Sequence, residues 1–82
     1  MSTLVKRRRA VTALATGVRF TRDMLYVQLA DGREVGAPLE WFPALRRAAP
    51  AQRNKWRLIG RGVGIHWDNL DEDLSVEGIL AM

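Results

Sequence analysis

The sequence has no cysteine. That absence excludes disulfides and thiolate metal centres. An 82-residue chain must then be stabilised by packing or self-association. Nothing in it needs an oxidising environment, so a cytoplasmic location is the expectation. Histidine is nearly as scarce, since His66 stands alone. Long apolar runs are missing too. The mild stretch over 10–18 is broken by Thr12, Thr16 and Gly17, and Arg19 and Arg22 follow it. Neither a signal peptide nor a membrane span is expected from such a pattern.

Positive charge is absent from the whole segment Gly62 to Met82. That segment holds Asp68, Asp71, Glu72, Asp73 and Glu77 and carries −5. All 13 Lys and Arg lie between Lys6 and Arg61, against four acids, so the body carries +9. Such segregation predicts that the acidic segment folds back over the basic region; the alternative is a basic patch free for an acidic partner or nucleic acid. The densest run, Lys6, Arg7, Arg8 and Arg9, reads as a solvated terminus or as an arm that follows phosphates. No aromatic residue interleaves it, so base stacking is not signalled.

What remains is an ordinary globular mixture, 48% hydrophobic and 27% charged. The expected class is α+β: a small antiparallel sheet, built from an N-terminal three-stranded meander plus short later strands, with two or three short helices. Residues 1–10 form a basic arm, and 11–82 a single domain. Val11 to Phe20 reads as a strand of mixed alternation. Met24 to Ala30 alternates with period two. Asp31-Gly32 signals a hairpin, and the partner strand ends at Pro38. Leu39, Phe42 and Leu45 then recur at helical spacing over 39–49, and Pro50 opens a second short helix or turn. After a glycine-dense turn at Gly60-Arg61-Gly62-Val63-Gly64, Ile65-His66-Trp67 is a short strand. Asp68 to Asp73 reads as an acidic turn. Ser75 is placed to cap a closing helix over 76–81.

Little here points to catalysis. The glycines follow G-x-G-x-G, not the G-x-G-x-x-G of a dinucleotide loop, and no G-K-[ST] follows. His66 lies near Asp68, Asp71 and Asp73, but the spacing is not that of a calcium loop, and no Ser/His/Asp pattern stands out. A metal or hydrolytic site at His66 is therefore a distant third reading. The chain is expected to be no enzyme, with no cofactor and no metal. Trp41, Trp56 and Trp67 are a heavy aromatic load for this length. Two belong in the core, and one is expected at a partner surface.

Three segments together resemble a known family. They are Pro38-Leu39-Glu40-Trp41-Phe42-Pro43-x-Leu45, then Ala48-x-Pro50-x-Gln52-Arg53-x-x-Trp56-x-Leu58-Ile59-Gly60-x-Gly62-x-Gly64-Ile65-His66-Trp67, then Leu70-Asp71-Glu72-Asp73-x-Ser75-Val76-Glu77-Gly78-Ile79-Leu80. With the hairpin around Asp31-Gly32, they are similar to the bacterial domain-of-unknown-function family number 2442, from about Thr12 to Leu80. Asp68 stands where the family commonly has proline, and Arg61 where it has glycine. The resemblance implies a compact α+β fold and carries over no catalytic residue. It also implies a gene-pair habit like that of toxin–antitoxin systems.

The leading functional expectation is a non-catalytic, partner-binding regulatory module, antitoxin-like or inhibitor-like, of a bacterium or phage. Its protein partner is encoded beside it, or is a second copy in a homodimer. Trp41, Arg46, Arg47, Arg53, Arg61, His66 and Trp67 are the expected contact residues. The alternative is a nucleic-acid-binding accessory protein that uses Lys6, Arg7, Arg8 and Arg9 with Arg19, Arg22, Arg46, Arg47, Arg53 and Lys55.

Overall fold

The computed structural model describes residues 13–82. The arm at Lys6 to Arg9 and the expected start of the first strand at Val11 lie outside the described residues. In strand β1 (Ala15–Phe20) the inward positions change phase, from Ala13 and Ala15 to Val18 and Phe20. A bulge at Thr16 makes the change: Ala15 pairs with Leu29 and Gly17 with Gln28, so Thr16 faces no partner. Its hydroxyl donates to the Gln28 carbonyl at 3.3 Å.

Strand β2 (Met24–Leu29) buries Leu25, Val27 and Leu29 and turns Met24, Tyr26 and Gln28 to the other face. The Asp31-Gly32 turn follows, with Gly32 at φ 97° and the Arg33 N–H donating to the Asp31 carboxylate at 3.0 Å. Strand β3 (Glu34–Pro38) completes an antiparallel sheet ordered β1-β2-β3, as the period-two alternation requires. The outer face of this sheet is a polar layer. The Arg19 guanidinium lies 4.2 Å from the Tyr26 ring centre and donates to both Glu34 oxygens at 2.8 Å.

The helix expected over 39–49 is instead two pieces. Leu39–Trp41 is a 3-10 turn, and Phe42 leaves helical space at φ −129°, ψ 80°. Helix α1 (Pro43–Arg47) then starts with the proline at its first position. The cause is steric: a residue before proline is kept out of the α region. Apolar spacing survives the break, because Leu39, Phe42 and Leu45 are all buried. Helix α2 (Pro50–Arg53) follows after one extended stretch.

A second sheet, ordered β4-β5-β6, holds β4 (Trp56–Ile59), β5 (Gly64–Trp67) and β6 (Glu72–Ser75). The acidic turn expected over 68–73 is therefore shorter. It consists of Asp68–Leu70 and a left-handed Asp71, and the next residues pair with β5. Ser75 caps helix α3 (Val76–Leu80) by accepting the Gly78 N–H at 2.9 Å. The architecture is α+β: the expected N-terminal meander forms one small antiparallel sheet, and the short later strands form a second of their own. They share one core, in which Leu25, Leu39, Leu45, Ile65 and Trp67 are wholly buried. Phe20 from β1 meets Trp67 from β5 edge-on, with ring centres 6.5 Å apart.

Candidate functional site

Period-two alternation along β4 and β5 decides what the second sheet shows to solvent. Ile65 and Trp67 point inward with Trp56 and Leu58, so Arg57 and His66 point outward. Trp67, expected at a partner surface, is thereby corrected: it is fully buried, and its Nε1 donates to the Arg53 carbonyl at 2.8 Å. Trp56 is half-buried against the same core. Trp41, on the 3-10 turn ahead of α1, stays 55% exposed.

The arginines of α1 and α2 gather at one corner. Arg53 is half-buried and donates from Nε to the Leu45 carbonyl at 2.8 Å and from Nη2 to the Arg46 carbonyl at 2.9 Å. It thus closes the C-terminal end of α1, sharing the Leu45 carbonyl with the Ala48 N–H. Arg46 in turn donates to the Arg22 carbonyl and to Asp23, each at 3.3 Å. Arg47 and Lys55 are exposed. Between the β1–β2 turn and α2 lies an open cleft of about 320 Å³, lined by Phe20, Thr21, Arg22, Pro50, Arg53 and Asn54. Its charged lining residues are the two arginines.

Arg61 and His66 lie apart from that corner. Arg61 is exposed in the glycine turn between β4 and β5, in a left-handed conformation at φ 59°. His66 sits on the outer face of β5, directly between Arg57 and Asp73 in the register of the three strands. Its Nδ1 contacts the Asp73 carboxylate and its Nε2 lies 3.0 Å from Asp68. Arg57 pairs with Asp68 at 3.3 Å, and these hydrogen bonds hold the Asp68 carboxyl below the usual carboxylate range. The histidine is a strut joining β6 to the turn after β5. Among the described residues no group of three or more acidic or histidine side chains is arranged to hold a metal ion.

Among the described residues, Arg57–Asp68 is the one ion pair linking the basic body to the acidic C-terminal segment. The segment does pack against the body, but its neutralisation of the basic region reduces, within those residues, to this single ion pair. The other arginine pairs, Arg19–Glu34, Arg33–Asp31 and Arg46–Asp23, stay within the body.

Comparison with known proteins places this arrangement in a family. A family model described as a protein of unknown function, DUF2442, matches residues 15–82. The chain belongs to the DUF2442 family. A crystal structure of a protein of unknown function from Rhodospirillum rubrum is similar at 31% identity, with a TM-score of 0.73, over 84% of this chain and 86% of that one. The solution structure of an uncharacterised protein from Chromobacterium violaceum shares the fold, with a TM-score of 0.74 at 22% identity, over 93% of this chain and 72% of that one. No curated protein matches the chain.

Two parts of the site in this DUF2442 chain escaped sequence reasoning. Arg57 carries no motif of its own, yet the alternation of Trp56 and Leu58 turns it to the face of His66. Phe20 ends a strand of mixed alternation. It became a cleft wall because the turn after β1 comes to face α2, and no periodicity carries that long-range approach.

Proposed function

We propose that the chain is a non-catalytic partner-binding module, antitoxin-like or inhibitor-like, that acts in the bacterial cytoplasm and docks a protein through Trp41 and the neighbouring arginines of α1. The exposure of Trp41 is the observation that carries this reading. In a domain this small, an indole left outside the core forfeits a large apolar burial. Trp and Arg are also the residues most enriched in binding hot spots. Arg46 and Arg47 follow Trp41 in the same short segment, so the surface suits a partner with an acidic rim around an apolar pocket. Among the described residues no acid of the C-terminal segment pairs with Arg46 or Arg47; Asp23 of the body pairs with Arg46, and the exposed Arg47 further supports an external partner.

The product of an adjacent gene is the first partner to test. Tagged wild type and Trp41→Ala are purified gently from the native host, and their masses are measured by light scattering. A second protein in fixed stoichiometry is expected with the wild type and is lost with the variant. A wild-type chain that emerges alone and monomeric overturns the reading. A doubled mass replaces it with self-association.

A second reading, nucleic-acid binding, draws on the cluster of Arg22, Arg46 and Arg53 with Lys55. It requires a mobility shift at low salt that weakens steeply as salt is added.

A further inference from the structure

We infer that the cleft between the β1–β2 turn and α2 binds a small phosphate monoester whose organic group is a planar ring. This goes beyond the partner reading, since the cleft does not include Trp41 and needs no protein partner.

Charge selects phosphate over carboxylate. Arg22 and Arg53 line the cleft, and Arg46 reaches the same turn through the Arg22 carbonyl. Asp23, paired with Arg46, is the one carboxylate among these contacts. Arg46 and Asp23 offset each other outside the lining, so Arg22 and Arg53 give the cleft a charge of +2. A phosphate monoester carries about −1.5 to −2 at neutral pH, whereas a carboxylate carries half that or little more.

Geometry favours the same class. Two backbone carbonyls fix the Arg53 guanidinium through Nε and Nη2. Among the described residues, Nη1 has no such acceptor. A guanidinium already held in place loses little freedom on taking up an anion, and guanidinium groups recognise phosphate oxygens by paired N–H bonds. The cleft, at about 320 Å³, is roomier than a bare phosphate requires. Phe20 and Pro50 give it two apolar surfaces, and the edge-on contact with Trp67 holds the Phe20 ring. Asn54 adds an amide on the same rim. A flat ring against Phe20 and Pro50, with its phosphate on the arginines, matches the apolar and the cationic parts of the lining.

The test is a titration of the ¹⁵N-labelled chain, followed by NMR amide shifts, with phenyl phosphate, adenosine monophosphate and benzoate as separate probes. Saturable shifts at Thr21, Arg22, Arg53 and Asn54 are expected with both phosphate esters, with a Kd below about 1 mM. Tighter binding of adenosine monophosphate assigns the cleft to nucleotides, and tighter binding of phenyl phosphate to other aryl esters. Arg22→Gln should weaken binding about tenfold or more, as loss of a charged hydrogen bond does. Arg33→Gln, on the distant β2–β3 turn, should leave it unchanged. Shifts that never saturate, or equal losses in the two variants, overturn the site. Benzoate binding as tightly as phenyl phosphate overturns the phosphate assignment. Trp41→Ala should retain the phosphate shifts, so this inference and the partner reading fail separately.

Discussion

Gly62 lies against the backbone of Ala15: a methyl group added to its α-carbon would stand 2.5 Å from the Ala15 carbonyl oxygen and 3.1 Å from the Ala15 nitrogen. The contact draws the turn between β4 and β5 onto β1, so the two sheets meet here main chain to main chain. Gly62 also holds φ 106°, which L side chains rarely adopt.

Gly62→Ala therefore meets two penalties, a backbone clash and a strained dihedral. A loss of about 3 kcal/mol is expected. Gly32→Ala isolates the dihedral part. Gly32 sits at φ 97° with nothing near its added methyl, so about 1 kcal/mol is expected there. Urea denaturation of both variants measures the difference. Equal losses would show that the approach to Ala15 is not what requires glycine.

Arg61, the neighbour of Gly62, makes the opposite case. It holds φ 59° and ψ 28° with a full side chain. A left-handed L-residue costs about 1–2 kcal/mol, part of which glycine would recover after its own entropic cost. Arg61→Gly is expected to raise stability by about 0.5–1 kcal/mol. A lower urea midpoint would mean that the guanidinium makes a contact worth more than the strain it imposes.

Local chemistry made much of the fold legible in the sequence. The broken phase between Ala15 and Val18 was visible as mixed alternation, and the bulge at Thr16 is its cause. Ser75 was readable as a cap because its side chain acts within one turn. Strand β6 was hidden because acidic residues at Glu72 and Asp73 resemble a turn, and their pairing with Trp67 and His66 is a contact across the sheet. The break at Phe42 was legible in principle. Pro43 keeps the residue before it out of the α region, but the helical spacing of Leu39, Phe42 and Leu45 runs through the break and masks it. For the candidate site, residue type signalled the arginine-rich corner but not its geometry. The cleft depends on Phe20 and Arg22 meeting α2, and Trp67 shows that an aromatic residue beside polar ones can still point wholly inward.

Acid should destabilise the fold through a definite set of groups. Hydrogen bonds from Arg19, with a further one from Gln28, lower the Glu34 carboxyl, and the Arg33 N–H lowers Asp31. Arg57 lowers Asp68. A carboxyl depressed in the folded state stabilises fully above its unfolded value and loses that contribution as pH falls through the folded one. The ordinary values are 3.8 for Asp and 4.5 for Glu. The melting temperature should hardly change from about pH 7 to 5 and should fall below about pH 4. Arg19→Met removes the strongest hold on Glu34, so its acid limb should be shallower. All of these pairs are exposed, so added salt should reduce the difference between the two chains. Superimposable limbs at low salt would remove Arg19–Glu34 from the account.

The three tryptophans should separate cleanly in fluorescence. Trp41 is 55% exposed and Trp67 wholly buried, with Trp56 between them. Acrylamide should therefore quench Trp41 first, and Trp41→Phe should remove the most accessible component and shift the remaining emission to shorter wavelength. Its effect on stability should stay within about 0.5 kcal/mol, as for other surface changes. Trp67→Phe deletes buried volume and leaves the Arg53 carbonyl without its indole donor, so a loss of about 2–3 kcal/mol is expected. Because Arg53 also closes the end of α1 through its own side chain, that loss should reach the arginine corner and loosen the amides of Arg46 and Arg53 in hydrogen exchange. If Trp41→Phe destabilises the chain as much as Trp67→Phe does, the indole of Trp41 belongs to the core, and the proposed docking surface loses its anchor.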